Sequence, residues 1–251
     1  MPYIFTQNSK RKYQGYNFGF HGYGPQQMLG ALENGVEEKI INHKKPEYVV
    51  FQTILDHVKR SATTAEVLNW RGYKSSPKYY LDEQNEVQHF GTVEEYIASL
   101  PEPKRNHSKI EKYLIDLKNN AKPYFIDHIY AENQIMSRIE KNKVTLTERD
   151  LNLYIGIIAK SRDIVKEKYD SKFRVVLWDV AHDNHILQSR RNDPHLIYIE
   201  KKLQERKIEF YRISEIMPDY ERHLYSIRGD GHPTVIAHEK IANFLLKKFS
   251  K

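Results

Sequence analysis

The sequence contains no cysteine in 251 residues, and that absence removes several kinds of chemistry. Without a thiol, the chain has no disulfide, no cysteine-ligated metal site and no thiol nucleophile. Long apolar runs are absent as well, since no window approaches the roughly 18 consecutive apolar residues of a membrane helix. Residues 1–16 also lack the apolar centre of a signal peptide. As given, the chain is expected to be cytoplasmic, whereas an exported or membrane-anchored protein would require a segment upstream of Met1.

Positive charge is in modest excess. The formal net charge is +7, but Lys and Arg are spread along the chain in short clusters such as Lys10–Lys12 and Lys247–Lys248. No nucleic-acid-binding motif or basic helix accompanies this charge, so we expect a mildly basic, solvated surface and no nucleic-acid partner. The hydrophobic fraction of 39% indicates a folded, somewhat polar chain rather than a disordered one.

Short apolar runs alternate with longer amphipathic ones along most of the chain. The runs at Tyr48–Leu55, Phe173–Val180 and Ile208–Ile213 predict strands, and the first two are apolar enough to be buried on both faces. Tyr13–Phe20 predicts a further, aromatic strand. Strands that alternate with helices favour a three-layer α/β/α fold with a mostly parallel sheet.

Helix signals separate the predicted strands. Thr147, followed by acidic residues, predicts an N-cap for a helix over Leu151–Tyr169. Pro194–Arg206 and Val235–Phe249 predict two more helices. Pro25 suits the first turn of another helix. The apolar face of that helix is expected to comprise Met28, Leu29, Leu32, Val36 and Ile40.

Residues 62–143 do not follow this alternation of strands and helices. They predict an insertion within a single domain, 1–251, that lies like a lid over the C-terminal edge of the sheet. The run Lys78–Gln88 is typical of a hairpin. Trp70 and Tyr73 either line an acyl or sugar site or form the insertion's own small core, the commoner role of such residues. The expected helical segments are Val93–Leu100 and Ile110–Asn119.

Two segments place glycine or polar residues where predicted strands end, and active sites of open α/β sheets lie at the carboxyl ends of the strands. The run NFGFHGYG, residues 17–24, allows positive φ and leaves backbone N–H groups for a ligand, or it is a plain strand-to-helix turn. Asp56 and His57 directly follow a buried strand. They either enter the cleft or begin a helix, and both roles can hold together.

Asp230 and His232 lie in the run GDGHPT, just before the last helix. A histidine in a tight Gly/Pro turn with a carboxylate two residues away fits a general base and the group that orients it. The alternative is an Asp-Gly turn with a surface histidine, in a chain that contains 12 histidines.

In order and spacing, these three segments together resemble the SGNH/GDSL hydrolase family, over the chain outside residues 62–143. The resemblance implies a flavodoxin-like, three-layer fold with neither metal nor organic cofactor. It implies that Gly22 supplies an N–H to the oxyanion hole and that Asp56 and His57 occupy an Asn-Asp pair of the family. It further implies that Asp230 and His232 are the catalytic Asp–His pair.

Two positions depart from the family's pattern. Asp56 stands where the family has an asparagine that donates to the oxyanion, and an ionised carboxylate can only accept a hydrogen bond. His57 or another donor must then take that part. The family's aspartate precedes its histidine by three residues, a position that Gly229 holds here, so Asp230 is the candidate at two residues.

The family's nucleophilic serine, which follows the first strand in a Gly-Asp-Ser motif, has no counterpart, so the nucleophile is unassigned. Ser9 lies in QNSKR without a glycine turn or a preceding apolar strand, and Ser61, Ser75 and Ser76 fit no better. In a flavodoxin-like order the first strand lies inside the sheet, so its loss leaves buried strands unpaired unless residues 1–8 or a partner fill the gap. We therefore expect an N-terminally shortened gene product.

Two functions from different classes remain open. The leading hypothesis is a hydrolase of carboxylic (O-acyl) esters, on a carbohydrate or a lipid, by Ser-His-Asp chemistry. The alternative is a catalytically inactive relative that serves as a binding or structural module, which the missing serine favours. The sequence does not predict the oligomeric state.

Overall fold

The computed structural model describes residues 1–10, 12–64, 67, 70, 72–99, 146–180, 193–219, 222–227 and 232–249, and these form a mixed α/β structure. The chain divides into two compact units. The sheet unit comprises Met1–Gly19, Val36–Leu55 and Val165–Lys251, and the hairpin unit comprises Phe20–Gly35 and Asp56–Ile164.

The described residues contain both strands and helices. The strands are β1 Tyr48–Ile54, β2 Pro77–Leu81, β3 Val87–Thr92, β4 Lys172–Trp178 and β5 Glu209–Arg212. The helices are α1 Pro2–Asn8, α2 Pro25–Glu33, α3 Val36–Ile40, α4 Asp56–Ala62, α5 Val93–Ser99, α6 Glu148–Tyr169, α7 Pro194–Glu205, α8 Ile213–Ile216, α9 Arg222–Tyr225 and α10 Val235–Phe249.

The sheet unit is built on a three-stranded parallel sheet in the order β1-β4-β5. Tyr48 pairs with Lys172 and Ile54 with Trp178, so β1 and β4 match along their full length. These strands coincide with the apolar runs that predicted them, and the parallel α/β character is confirmed. In the described residues, β1 lies at one end of the sheet and β4 at its centre.

Both faces of the central strand β4 are buried. Val176 and Trp178 pack against α10 in one apolar cluster. Val175 and Leu177 alternate with them and project from the opposite face, and both are 0% exposed. Each such side chain contributes about 1.5–3 kcal/mol by its burial, so β4 is the anchor of this unit.

The N-terminal residues pack against β1 and α10. Met1 and Phe5 join the apolar cluster of α10. The Phe5 and Phe249 rings meet edge to face with centroids 5.8 Å apart. The Tyr48 and Phe249 rings stack at 3.7 Å. Aromatic packing therefore joins α1, β1 and the end of α10.

The predicted strand at Tyr13–Phe20 is wrong, because residues 14–20 have no regular secondary structure. The Tyr13 ring lies 5.7 Å from that of Phe5 and 6.4 Å from that of Tyr48. Gly15 lies so close to Pro2 that a Cβ added to the glycine would be 2.7 Å from the Pro2 carbonyl oxygen. The segment is therefore held by the packing of its ring and by this close approach. Its glycine also weakens a strand.

The hairpin unit contains the predicted hairpin, with β2 antiparallel to β3. Asp82 forms the turn, because its carboxylate accepts the N–H groups of Gln84 at 3.0 Å and Glu86 at 2.8 Å. The helix predicted after it is also present as α5. The core of the unit comprises Leu29, Tyr79, Leu81, Val87, Leu153 and Ile157.

Helix ends follow local sequence signals, and the prediction missed one helix end. Thr147 and Asp150 form a reciprocal cap at the start of α6, in which the Thr147 N–H donates to the carboxylate at 2.8 Å. The helix predicted from Pro25, however, breaks at Gly35, where φ is +62°. Val36 and Ile40 then lie on α3 and are 43% and 50% exposed, rather than continuing the apolar face. The predicted helix Ile110–Asn119 lies outside the described residues.

Candidate functional site

His232 lies in a turn that backbone hydrogen bonds hold closed ahead of α10. The Ile227 N–H donates to the His232 carbonyl at 2.8 Å, and Ser226 and Pro233 form an antiparallel bridge. The Thr234 N–H donates to the Tyr225 carbonyl at 3.0 Å. The His232 side chain is exposed. A fixed backbone with an exposed imidazole can present a base to a ligand.

The segment before this turn is anchored to α10 by polar contacts. The Tyr225 hydroxyl donates to Asp219 at 3.1 Å, and the Lys240 ammonium lies 3.0 Å from the same carboxylate. Tyr225 is 2% exposed, so the anchor is largely buried on the tyrosine side. Asp230 lies outside the described residues, and its pairing with His232 stays a prediction.

Gly22 occupies a tight turn in the hairpin unit. The Tyr23 N–H donates to the Phe20 carbonyl at 3.1 Å, and Gly22 has a φ of +80°, as the third residue of a type II turn requires. Among the described residues, no acceptor is bonded to the Gly22 N–H. This N–H can serve a ligand, which is what an oxyanion donor needs. No strand precedes the turn, so it is not a strand-to-helix turn.

Asp56 and His57 form the first turn of α4, as the helix interpretation predicts. The Asp56 carboxylate lies 3.2 Å from the Lys59 ammonium and 3.7 Å from the Arg60 guanidinium. These contacts make Asp56 an acceptor in local ion pairs. They do not favour a role as oxyanion donor.

His57 is held neutral by its surroundings. Burial and, as the smaller cause, the positive charge of Arg60 together lower the pKa of His57 from 6.5 to about 3. A neutral imidazole carries one N–H donor and one acceptor. His57 can therefore donate a hydrogen bond at neutral pH without carrying charge.

Arg60, which the sequence interpretation missed, joins the glycine turn to α4. Its guanidinium donates to the Tyr23 carbonyl at 2.6 Å and lies 5.0 Å from the centre of the Trp70 ring. Its Nε is buried without a partner among the described residues. The structure thus brings Gly22, Asp56 and His57 together around one cation. The Asp56–Arg60 spacing of four residues on a predicted helix was the available signal.

Tyr73 and Trp70 belong to one small apolar cluster of the hairpin unit. Tyr73 is 4% exposed and packs with Val67 and Val93, with Trp70 partly buried against them. Burial raises the pKa of the Tyr73 hydroxyl, which donates to the Arg60 carbonyl. This packing supports the small-core alternative for Tyr73.

Asp179 is a further polar residue that the sequence interpretation missed. It follows β4 directly, is 1% exposed, and accepts the Ser214 N–H at 2.9 Å together with the Ser214 hydroxyl. This pair fixes the carboxyl end of β4 to the start of α8. A charged residue inside the apolar run FRVVLWDV was the signal, hidden because the predicted strand extended over it.

The hydroxyls of the serines that were weighed as nucleophiles make local hydrogen bonds. Ser9 donates to the Thr6 carbonyl at 2.8 Å, Ser61 to the His57 carbonyl at 3.0 Å and Ser75 to the Gly72 carbonyl at 2.8 Å. Ser76 is 8% exposed and accepts from the Gln27 amide at 2.9 Å. These contacts are structural, and the nucleophile stays unassigned.

No protein-family model, curated protein or solved structure matches this chain. Within the described residues, no group of three or more His, Asp or Glu side chains is arranged to hold a metal ion. Over the same part of the chain, no helix has the length and apolar character needed to span a membrane. The assignment of function therefore depends on the geometry of the site itself.

Proposed function

We propose that this chain is an ester hydrolase of the SGNH type, in which His232 is the general base acting on a carboxylic (O-acyl) ester. The observation that carries the proposal is the turn at His232, where backbone bonds hold the main chain of an exposed histidine ahead of α10. His232 takes the proton of a hydroxyl nucleophile as it attacks the acyl carbonyl. It then returns the proton to the departing alkoxide.

The resemblance assigns the other roles. Asp230 orients the His232 imidazole and stabilises its charged form. The Gly22 N–H stabilises the oxyanion, and the lack of an acceptor for that N–H within the described ranges supports this role. His57, neutral at physiological pH, is a candidate second donor in place of Asp56.

We also propose that β1, β4 and β5 are three successive strands of a flavodoxin-like sheet in a three-layer fold. Their parallel order, which follows the order of the chain, supports this topology. Burial of both faces of β4 supports helices on both sides.

Hydrolysis of p-nitrophenyl acetate tests the proposed function. We expect His232→Ala to lower kcat/KM by about a thousandfold or more. The matched control is His195→Ala, because His195 also follows an aspartate by two residues and its Nδ1 lies 3.5 Å from the Asp193 carboxylate. Equal rates in the two variants would exclude His232 as the base.

A catalytically inactive binding module is the second candidate, favoured by the local hydrogen bonds of the serines that were weighed. Labelling with an alkyl fluorophosphonate, followed by peptide mapping, separates the two. A serine adduct that His232→Ala prevents supports the hydrolase and identifies its nucleophile. Absence of both adduct and turnover supports the module.

A further inference from the structure

The starts of the three parallel strands bring distant parts of the chain to one edge of the sheet. Tyr48 pairs with Lys172, and Arg174 pairs with Glu209, so β1, β4 and β5 begin side by side. The Lys172 N–H donates to the Glu47 carbonyl at 3.1 Å, which joins the loops before β1 and β4. This amino-terminal edge lies opposite the edge at which the active sites of open α/β sheets are found.

Two further contacts bring the ends of helices to the same edge. The Tyr48 ring stacks on that of Phe249 with centroids 3.7 Å apart, so α10 ends beside the start of β1. The Ile208 N–H donates to the Leu203 carbonyl at 2.8 Å, so α7 ends directly before β5. The edge therefore gathers four short segments of the sheet unit, residues 44–47, 166–172, 206–209 and 247–248.

Positive charge is concentrated in these four segments. They carry nine lysine and arginine residues against four carboxylates, in a chain whose whole formal net charge is +7. Two of the carboxylates are neutralised locally, because Asp170 pairs with Lys166 and Glu209 lies 2.7 Å from the Arg174 guanidinium. Six exposed lysines of the segments have no ion-pair partner among the described residues. They are here called the basic edge: Lys44, Lys45, Lys172, Lys207, Lys247 and Lys248.

Lys207 has a backbone conformation that favours glycine. Its φ is +54°, and it follows α7 in the left-handed position of a helix end, where the Ile208 N–H reaches back to the Leu203 carbonyl. A side chain in this conformation strains the backbone, and glycine would avoid the strain. A cation is therefore kept at the edge where a neutral residue would stabilise the fold, and such strain is found at functional sites.

We propose that the basic edge docks on a membrane surface that carries anionic lipids. Each lysine near such a surface raises the partition coefficient of a protein by about fivefold. Lysine is depleted in protein–protein interfaces, which disfavours a protein partner. A single-stranded nucleic acid needs open ring faces on which its bases can stack. The Tyr48 ring, however, is stacked on Phe249 and lies 5.0 Å from the Lys172 ammonium.

Docking at the basic edge is independent of the chemistry proposed for His232. The His232 turn precedes α10, whose other end lies at the basic edge, and this helix of 15 residues is about 22 Å long. The docked sheet unit therefore holds the His232 turn away from the lipid and open to substrates in water.

Co-sedimentation with lipid vesicles tests the docking. Vesicles of equal parts phosphatidylserine and phosphatidylcholine should bind the protein, whereas vesicles of phosphatidylcholine alone should not. Added salt should release the protein, because it screens the attraction between charges. The double variant Lys44→Gln, Lys247→Gln should lower the partition coefficient by about thirtyfold, at about fivefold for each lysine. The matched control Lys10→Gln, Lys74→Gln removes the same charge from exposed lysines outside the basic edge and should keep the wild-type value.

The variant Lys207→Gly separates the loss of charge from any loss of folding. It should lower the partition coefficient by about fivefold. Its urea midpoint should not fall, because glycine relieves the strained backbone.

Three results would overturn the proposal. Equal losses in the two double variants would mean that binding follows net charge alone. Absence of binding to the mixed vesicles, or equal binding to both kinds of vesicle, would exclude an anionic membrane surface. A labelled DNA duplex that binds more tightly than the mixed vesicles at the same salt, and loses affinity in Lys44→Gln, Lys247→Gln, would assign the basic edge to a nucleic acid.

Discussion

The two candidate regions of this molecule are built in opposite ways. Around Arg60 in the hairpin unit, charged and polar side chains bond to one another and to backbone carbonyls, and the Arg60 side chain is 14% exposed. Around His232 in the sheet unit, the fixing bonds join backbone atoms, while the imidazole and the neighbouring aliphatics are exposed. The Arg60 region is therefore a scaffold for the proposed oxyanion donors, whereas the His232 turn leaves its side chains accessible.

This difference suits the two histidines to the different roles proposed for them. His57 is kept neutral by burial and by Arg60, which suits a hydrogen-bond donor and not a base that must gain a proton. His232 has an exposed side chain that a substrate can reach. Replacing the linking residue of the first region, Arg60, should accordingly cost stability, whereas replacing His232 should cost activity without a loss of stability.

Replacing Arg60 should have the largest effect on stability. Arg60→Ala removes the bond to the Tyr23 carbonyl, one of the two cations beside Asp56 and the cation over Trp70. Because the remaining partners are partly buried, we expect a loss of about 3–4 kcal/mol in the free energy of unfolding, measured by urea denaturation.

Two variants sharpen this comparison. Arg60→Lys keeps the charge near Asp56 but not the planar group over Trp70, and should lose less than the alanine variant. His232→Ala should change the free energy of unfolding by no more than about 0.5 kcal/mol, because its side chain is exposed. Equal losses at Arg60 and His232 would contradict the division into scaffold and accessible turn.

His57 should make the protein sensitive to acid. Its pKa is about 3 in the folded state and about 6.5 when unfolded, so the unfolded chain binds one more proton between these values. The contribution to stability is complete above pH 6.5 and is lost as the pH falls towards 3. Between pH 6 and pH 4 we expect a loss of about 2–3 kcal/mol, measured by urea unfolding at several pH values.

The variant His57→Asn isolates this effect. Asparagine keeps a hydrogen-bonding side chain but does not titrate, so the loss between pH 6 and pH 4 should shrink by the same amount. Parallel pH curves for the wild type and the variant would show that another group causes the acid sensitivity.

Elements with strong local signals could be predicted from the sequence. The apolar runs at β1 and β4, the proline start of α7 and the Asp82 turn of the hairpin all depend on residues close in the chain. The strand predicted at Tyr13–Phe20 failed because its rings pack on residues distant in sequence, including Tyr48. The break at Gly35 had a visible Asn-Gly signal, which the apolar spacing outweighed.

The candidate site was less predictable than the strands. Gly22 could be found because positive φ favours glycine, and its φ is +80°. The role of Arg60 in linking segments could not be predicted from the sequence. Its partners Tyr23 and Trp70 lie 37 and 10 positions away and belong to different segments. Sequence spacing can locate residues that act through their own backbone. The contacts of a cation that links distant segments can be identified when the fold is known.

The smallest loss of stability predicted in the hairpin unit is at Gly22, where an effect on activity is expected as well. Alanine at a φ of +80° is strained, so Gly22→Ala should lose about 1–2 kcal/mol in the free energy of unfolding. Relief of this strain would rotate the N–H that is assigned to the oxyanion. We therefore also expect kcat for p-nitrophenyl esters to fall by about tenfold or more, from stopped assays at equal folded fraction.

Gly72→Ala is the matched control for this prediction. Gly72 has a φ of +77°, and an added Cβ there would meet nothing within 4 Å, so alanine brings the same backbone strain without a steric clash. The loss of stability should equal that of Gly22→Ala, because both glycines have a left-handed backbone conformation. The kcat of Gly72→Ala should stay at the wild-type value. A fall in kcat that is the same in both variants would mean that strain anywhere in the hairpin unit impairs the enzyme. A specific role for the Gly22 N–H requires the loss of activity to be confined to Gly22→Ala while the two stabilities remain matched.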